Sequence, residues 1–142
     1  MVTEGWHAGP TPAPTAEDRA AVEAVIRDYF DGWFDADGTR VTKALHPGFA
    51  KRSIGQDRDG TPEVSSISAE EMILWAGAGN GAARGRAGRE YEIRIDEISG
   101  DIASASVHSE PYVEFVHLAR MPVGWRIVNA LWRYADGHGP AV

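Results

Sequence analysis

Three polar residues near the end of the chain have side chains that could act on a small molecule. Glu114, His117 and Asn129 lie in the stretch YVEFVHLARMPVGWRIVNALWRY, residues 112–134, which is otherwise rich in apolar residues. A carboxylate shielded from water, or an imidazole, can accept a proton near neutral pH and act as a general base. An asparagine offers a donor and an acceptor to a ligand. These residues therefore predict a reaction site, a ligand site, or polar contacts that only stabilise a core.

The register of the hairpin that carries these residues decides which of them lie together. The stretch predicts two strands joined by a tight turn, and side chains alternate between the two faces of a strand. A two-residue turn at residues 122–123 puts Tyr112, Glu114 and Asn129 on one face, whereas a three-residue turn slips the register and puts His117 opposite Asn129. We favour the two-residue turn, which pairs Leu118 with Ile127, Val116 with Asn129 and Glu114 with Leu131.

Under the favoured register, Glu114 is the candidate general base of an interior pocket. The ligand-binding residues would be those that share the interior with it: Tyr29, Trp33, Trp75, Tyr112 and Asn129. His117 and His108 would then lie on the outer face beside Phe115 and Trp132, and they are the second choice for acid–base chemistry. The alternative is a structural Glu114 that pairs with an arginine or with a tyrosine hydroxyl and holds the sheet together.

Helices are predicted in the first half of the chain, where they would supply the interior aromatic residues. Thr15 begins the first helix, because TAED has the form of a capping box and apolar residues then recur at helical spacing up to Trp33. DADG ends this helix, and a short second helix is predicted from Thr39 to Leu45. Ser68 begins a third helix with a second capping box, SAEE.

Strands are predicted for most of the remaining chain. A small hairpin covers residues 49–68, with Asp59-Gly60 as its turn. REYEIRIDEI alternates apolar and charged residues, and IASASVHSE has a small apolar face that suits packing under helices: Ala103, Ala105 and Val107. With the last hairpin, these strands form a four-stranded antiparallel meander. Segregated helices and antiparallel strands indicate an α+β fold, in which a curved sheet wraps over three helices and encloses a pocket.

The ends of the chain and one loop fall outside these elements. Residues 1–14 are rich in Pro, Gly, Thr and Ala and predict a flexible leader. One domain is expected over residues 15–135, followed by a flexible tail at 136–142. The glycine-rich segment GAGNGAARGRAG, residues 77–88, lacks the G-K-[ST] of a phosphate-binding loop, so it predicts only a connection.

Composition excludes several classes of function. The chain has 142 residues, a formal net charge of -7 and no cysteine. An acidic surface argues against nucleic acid and anionic membranes as partners. The absence of cysteine excludes disulfides, thiolate catalysis and cysteine-bound metals. No histidine spacing supports a metal site and no nucleotide-cofactor motif is present, so we expect neither a metal nor a cofactor, and we expect a cytoplasmic protein.

The order of these elements resembles the NTF2-like superfamily (the SnoaL-like group), and within it most of all the subfamily called "putative lumazine-binding". The residues that carry the resemblance are VEAVIRDYFDGW in the first helix, ALHPGFAKR after the second and YVEFVHLARMPVGWRIVNALW at the end. The resemblance implies a cone-shaped fold with an interior pocket, and a homodimer formed through the outer face of the sheet. It does not imply one activity, because this fold hosts enzymes and binding proteins alike.

Two functions follow as expectations. The first is a small-molecule binding protein whose apolar, aromatic-lined pocket takes a small hydrophobic molecule. The alternative is a cofactor-independent acid–base enzyme: an isomerase, cyclase, dehydratase or epoxide hydrolase. Enzymes of the superfamily typically have an Asp or a His deep in the cone, whereas here Glu114 is the best candidate and no second acidic residue clearly faces it. We therefore favour the binding protein.

Overall fold

The structure of the protein, a computed structural model, describes residues 9–83 and 89–139. Parts of three predicted segments lie outside these residues: positions 1–8 of the leader, 84–88 of the glycine-rich loop and 140–142 of the tail. Among the described helices, none combines the length and the apolar character that crossing a bilayer requires.

Three helices form as the sequence predicts, and both capping boxes are present. The Thr15 side chain accepts a hydrogen bond from the backbone N–H of Asp18, and the Asp18 carboxylate accepts from the backbone N–H of Thr15. Ser68 and Glu71 make the same reciprocal pair at the third helix. These bonds satisfy backbone donors that a helix start leaves unpaired. The helices are α1 (Ala16–Phe34), α2 (Gly38–Ala44) and α3 (Ala69–Gly77).

Six strands form one mixed, mostly antiparallel sheet, which confirms the α+β prediction. The strands are β1 (Leu45–Gln56), β2 (Pro62–Ser68), β3 (Tyr91–Ser99), β4 (Ile102–Ser109), β5 (Tyr112–Met121) and β6 (Gly124–Tyr134). Their order across the sheet is β2-β1-β6-β5-β4-β3. All neighbours are antiparallel except β1 and β6, which are parallel. The β1–β2 hairpin therefore extends the predicted four-stranded meander.

The core lies between α1 and the inner face of the sheet. Val22, Ile26 and Phe30 recur at helical spacing on α1 and are buried. The small apolar residues of β4 are buried as the alternation predicts: Ala103, Ala105 and Val107. The backbone of α1 approaches the sheet most closely at β6 and β3. Removing this apolar surface from water stabilises the fold by about 25 cal/mol per Å².

The last hairpin has the predicted two-residue turn, but a β-bulge changes the register beyond it. Next to the turn, Leu118 pairs with Ile127 as expected. Val128 is then an extra residue on β6, so His117 pairs with Asn129. From there on, Val116 pairs with Ala130 and Glu114 with Trp132, not with Asn129 and Leu131. A bulge moves every later side chain of its strand to the opposite face. Asn129 on β6 therefore faces outward and is exposed, whereas Tyr112 and Glu114 on β5 still face inward and are buried.

Candidate functional site

A lysine, a tyrosine and a glutamate meet inside the protein. The Lys51 ammonium donates to the Tyr29 hydroxyl at 2.7 Å and to Glu114 Oε1 at 3.2 Å. The Tyr29 hydroxyl donates in turn to Glu114 Oε2 at 2.7 Å. Tyr29, Lys51 and Glu114 are only 1%, 8% and 2% exposed. These three residues form a closed ring of charge-assisted hydrogen bonds, which are stronger than bonds between neutral groups, and we call it the polar triad.

Three separate elements bring the polar triad together. Tyr29 lies on the buried stripe of α1. Lys51 lies on β1, two residues after the buried Phe49, so strand alternation turns both side chains inward. Glu114 lies on β5, and the bulge in β6 leaves its inward direction unchanged. Parallel pairing of β1 with β6 places Lys51 beside Ala130, so that the single strand β6 separates Lys51 from Glu114 on β5. The triad therefore depends on contacts between distant parts of the chain.

Burial changes the pKa values of Lys51 and Tyr29. Removal from water lowers the pKa of Lys51, because burial disfavours the charged ammonium, and the neighbouring Glu114 carboxylate opposes this only in part. Burial raises the pKa of Tyr29 well above its ordinary value, and the Glu114 carboxylate adds to the effect. Lys51 thus releases a proton more readily than an exposed lysine, whereas Tyr29 stays protonated and acts as a hydrogen-bond relay.

Aromatic rings surround the Lys51 ammonium. Its nitrogen lies 5.3 Å from the ring centroid of Tyr29, 6.0 Å from that of Trp33 and 5.1 Å from that of Trp132. These distances are within the range of cation–π attraction. Trp33 and Trp132 are half-buried, so their rings also reach the edge of the core. The ammonium therefore contacts both the polar groups of Tyr29 and Glu114 and the indole rings of Trp33 and Trp132.

The rings continue as one buried aromatic cluster. The Trp33 indole N–H donates to the Tyr112 hydroxyl at 3.4 Å. The Tyr112 ring stacks on Phe34, with centroids 6.1 Å apart, and meets the ring of Trp132 edge-on at 5.5 Å. Trp132 in turn meets Tyr134 edge-on at 4.8 Å. Edge-on and offset pairs of this kind are the favoured arrangements of aromatic rings, so the cluster forms an ordered apolar wall beside the triad.

The residues predicted for the site divide into two groups. One group lies together in the interior: Tyr29, Trp33, Tyr112 and Glu114. Tyr29 donates a hydrogen bond to Glu114, and Trp33 donates one to Tyr112. The hydrogen bond from Tyr29 to Glu114 is also the contact expected of a structural glutamate. Two of the predicted interior residues, Asn129 and Trp75, lie elsewhere. The histidines His117 and His108 are exposed on the outer face of the sheet, where the favoured register placed them.

Two of the placements are corrections. Asn129 is exposed on the outer face because the bulge at Val128 turns it away from Glu114, so the structure separates it from the interior residues. Trp75 was expected to face inward, but it is 37% exposed. The buried residues of α3 are Ala69, Met72 and Ala76, and Trp75 lies beside this stripe and not within it.

Sequence reasoning missed Lys51 and placed Trp132 on the wrong face. Lys51 stands in FAKRS, where a lysine followed by an arginine is typical of a solvated strand. Strand alternation could have identified Lys51. Phe49 is apolar and predicts the inward face, Lys51 shares that face because it lies two residues later, and Arg52 lies on the opposite face. Trp132 was assigned to the outer face by the unbulged register, and the bulge returns it to the inner face, opposite Glu114.

Within the described ranges, no three His, Asp or Glu side chains gather in a way that could hold a metal ion.

The outer face of the sheet is apolar at its centre. Phe115 and Leu131 pair across β5 and β6 and are 52% and 44% exposed. Bulges at Asp96 and Val128 bend the sheet, and a shallow concavity of about 560 Å³ beside them includes His117 and Asn129.

Comparisons with known proteins agree with this fold. A family model described as "Putative lumazine-binding" matches residues 17–133. An NTF2-like protein of unknown function from Shewanella baltica OS155 is 16% identical, with a TM-score of 0.70 over 89% of this chain and 100% of that one. A second, from Methylobacillus flagellatus KT, is 18% identical, with a TM-score of 0.68 over 90% of this chain and 100% of the other.

A third solved structure belongs to the same superfamily by its description. This NTF2-like superfamily protein from Salmonella enterica serovar Typhimurium LT2 is 16% identical, with a TM-score of 0.55 over 89% of this chain and 99% of that one. No curated protein matches the chain. At these identities the structural neighbours establish the NTF2-like fold alone.

Proposed function

The chain belongs to the putative lumazine-binding family, and from this premise we propose that it binds a small, flat, largely apolar molecule that carries a carbonyl oxygen. The carbonyl oxygen accepts a hydrogen bond from the Lys51 ammonium. The flat ring of the ligand lies against the indoles of Trp33 and Trp132, with Tyr112 behind them. Tyr29 and Glu114 hold the ammonium in place.

The observation that carries this proposal is the unused donor of Lys51. An ammonium has three N–H donors. Two of them go to Tyr29 and Glu114, and the third finds no acceptor among residues 9–83 and 89–139. A buried donor without a partner costs about 1–3 kcal/mol. A ligand oxygen at this point would remove that cost, and it would do so beside two rings that offer stacking surface.

The surroundings define the chemistry of the ligand. A neutral acceptor suits the site better than an anion, because the Glu114 carboxylate lies only 3.2 Å from the ammonium and would repel a second negative charge. Half-buried indoles and buried tyrosines favour a flat ring over a branched aliphatic one. Lumazine, the molecule in the family's description, is a flat bicyclic ring with two carbonyl groups, so it meets the requirements for a flat ring and for a carbonyl acceptor, but it is more polar than the aromatic walls favour.

Calorimetric titration tests the proposal with three probes: lumazine, 2-naphthamide and naphthalene. The two carbonyl compounds are expected to bind, and 2-naphthamide more tightly than naphthalene, since only the amide reaches Lys51. A hydrogen bond to a charged group contributes about 1.5–3 kcal/mol, so the difference in affinity should be about tenfold to about a hundredfold. Equal affinity for 2-naphthamide and naphthalene, or no binding of either carbonyl compound, would overturn the proposal.

One observation favours a second function, the cofactor-independent acid–base enzyme. Glu114, Tyr29 and Lys51 are joined by short hydrogen bonds and could move a proton to and from a carbon next to the ligand carbonyl. Incubation of 2-acetonaphthone in D₂O, followed by NMR, tests this role. Exchange of the methyl protons that is faster with the wild type than with Glu114→Gln supports the enzyme. Equal exchange in both refutes it.

We also propose that the chain forms a homodimer through the outer face of the sheet. Phe115 and Leu131 form the centre of this face, and three further exposed apolar residues extend it: Ile54, Val64 and Ile102. Large exposed apolar patches on a sheet mark contact surfaces. Light scattering after size exclusion should give twice the monomer mass at micromolar concentration, and the mass of a single chain would refute the dimer.

A further inference from the structure

The protein has two lysines, and their surroundings are opposite. Lys43 on α2 is 72% exposed and lies 3.9 Å from an Asp28 carboxylate oxygen. Lys51 is buried in the polar triad, and its amine faces indole rings. We propose that the Lys51 amine forms a covalent Schiff base with aldehydes or ketones that enter the site. This inference rests on the proposed function, because it names the reactive class among the flat carbonyl ligands.

The first support is the state of the amine. A Schiff base needs an uncharged amine as its nucleophile. Burial lowers the pKa of Lys51, so its neutral form is more populated than that of Lys43 at the same pH. Glu114 Oε1 at 3.2 Å can accept the proton that the ammonium loses. The amine and its proton acceptor are therefore already in contact.

The reaction balances with the groups that the triad supplies. Lys51 passes one proton to Glu114, and the neutral nitrogen attacks the carbonyl carbon, so that a C–N bond forms and the C=O pair moves to oxygen. A proton passes from nitrogen to that oxygen, through Tyr29 or Glu114, and gives a carbinolamine. Glu114 then returns its proton to the hydroxyl, which leaves as water while the nitrogen pair forms the C=N bond. Overall, an ammonium and a carbonyl compound become a protonated imine and water.

The same surroundings would hold the product. The protonated imine keeps the positive charge of the ammonium at the same nitrogen, so the Glu114 carboxylate remains its counterion. Its flat conjugated form can lie against the rings of Trp33 and Trp132, whose centroids are 6.0 and 5.1 Å from the nitrogen. Apolar walls also limit access of the water that would hydrolyse the imine.

Reductive trapping tests the inference on the full-length protein. The wild type is treated with 2-naphthaldehyde and cyanoborohydride near neutral pH, and the modified residues are located by peptide mass spectrometry. Because burial lowers the pKa of Lys51, a larger fraction of its amine is uncharged than at Lys43, so we expect more reduced adduct at Lys51 than at Lys43. Adduct formation at Lys43 equal to or greater than that at Lys51 would overturn the inference.

Two controls separate this inference from the proposed function. Excess 2-naphthamide, which occupies the site without forming an imine, should suppress trapping at Lys51 and leave Lys43 unchanged. Lys51→Arg keeps a cation beside Glu114 and should lose the adduct, while circular dichroism reports its folding. If 2-naphthamide binds the wild type but Lys51 is not trapped, the Schiff base is refuted and the binding function stands. If neither probe binds, both are refuted.

Discussion

Replacement of Lys51 by methionine should destabilise the protein strongly. Methionine keeps the length of the side chain but removes the ammonium, so Tyr29 and Glu114 each lose a hydrogen bond, of 2.7 and 3.2 Å. The carboxylate, only 2% exposed, is left without its cation. Removing one partner of a buried pair costs about 3–5 kcal/mol. For a chain of this size, that corresponds to a fall in Tm of about 10–20 °C.

The assay is urea unfolding followed by circular dichroism in a double-mutant cycle. Glu114→Gln should also destabilise, because it leaves the Lys51 ammonium without a counterion. The double variant Lys51→Met/Glu114→Gln contains no buried charge and should recover most of the loss, with a coupling energy of about 3 kcal/mol. Lys43→Met is the matched control, since Lys43 is 72% exposed and its pair with Asp28, at 3.9 Å, is worth about 0–1 kcal/mol. A Lys51→Met variant that loses no more stability than Lys43→Met would contradict a buried ion pair between Lys51 and Glu114.

Three further predictions concern pH, assembly and Asn129. Because burial lowers the pKa of Lys51, the unfolded chain still holds that proton at pH values where the folded protein has released it. As the pH rises towards the ordinary lysine pKa, the free energy of unfolding of the wild type should therefore increase relative to that of the Lys51→Met/Glu114→Gln variant. Urea titrations at a series of pH values measure this difference, and parallel pH profiles for the two proteins would contradict it. Phe115→Asp should convert the proposed dimer to monomer in light scattering without a loss of helix signal, whereas an unchanged mass would argue against the sheet interface. Asn129→Ala should leave the affinity for 2-naphthamide unchanged in calorimetry, and a large loss would return Asn129 to the site.

Local signals made much of the fold predictable. The capping boxes at Thr15 and Ser68 involve residues three apart, so the sequence alone contains all of their partners. The alternation in β4 likewise identifies Ala103 and Val107 as buried without knowledge of any partner strand. Period and capping are properties of one segment, and they fixed the type and order of the elements.

The site was predictable only in part, because its geometry depends on distant contacts. Glu114 was identified from the alternation in its own strand. Its partner Lys51 lies on β1, which joins the sheet by parallel pairing with β6, and no local sequence pattern predicts that pairing. The placement of Asn129 failed for a different reason. One extra residue, Val128, reverses every later face of the strand, and nothing in RIVNALW marks that position as a bulge.

The most direct test of the account is calorimetric titration of 2-naphthamide into the wild type and into the Lys51→Met/Glu114→Gln variant. That variant keeps the volume of the site and its aromatic walls but has no ammonium to donate to the ligand. We predict that the wild type binds about tenfold to about a hundredfold more tightly, as expected for loss of a hydrogen bond to a charged group. Equal affinities in two folded proteins would contradict the claim that Lys51 holds the ligand carbonyl.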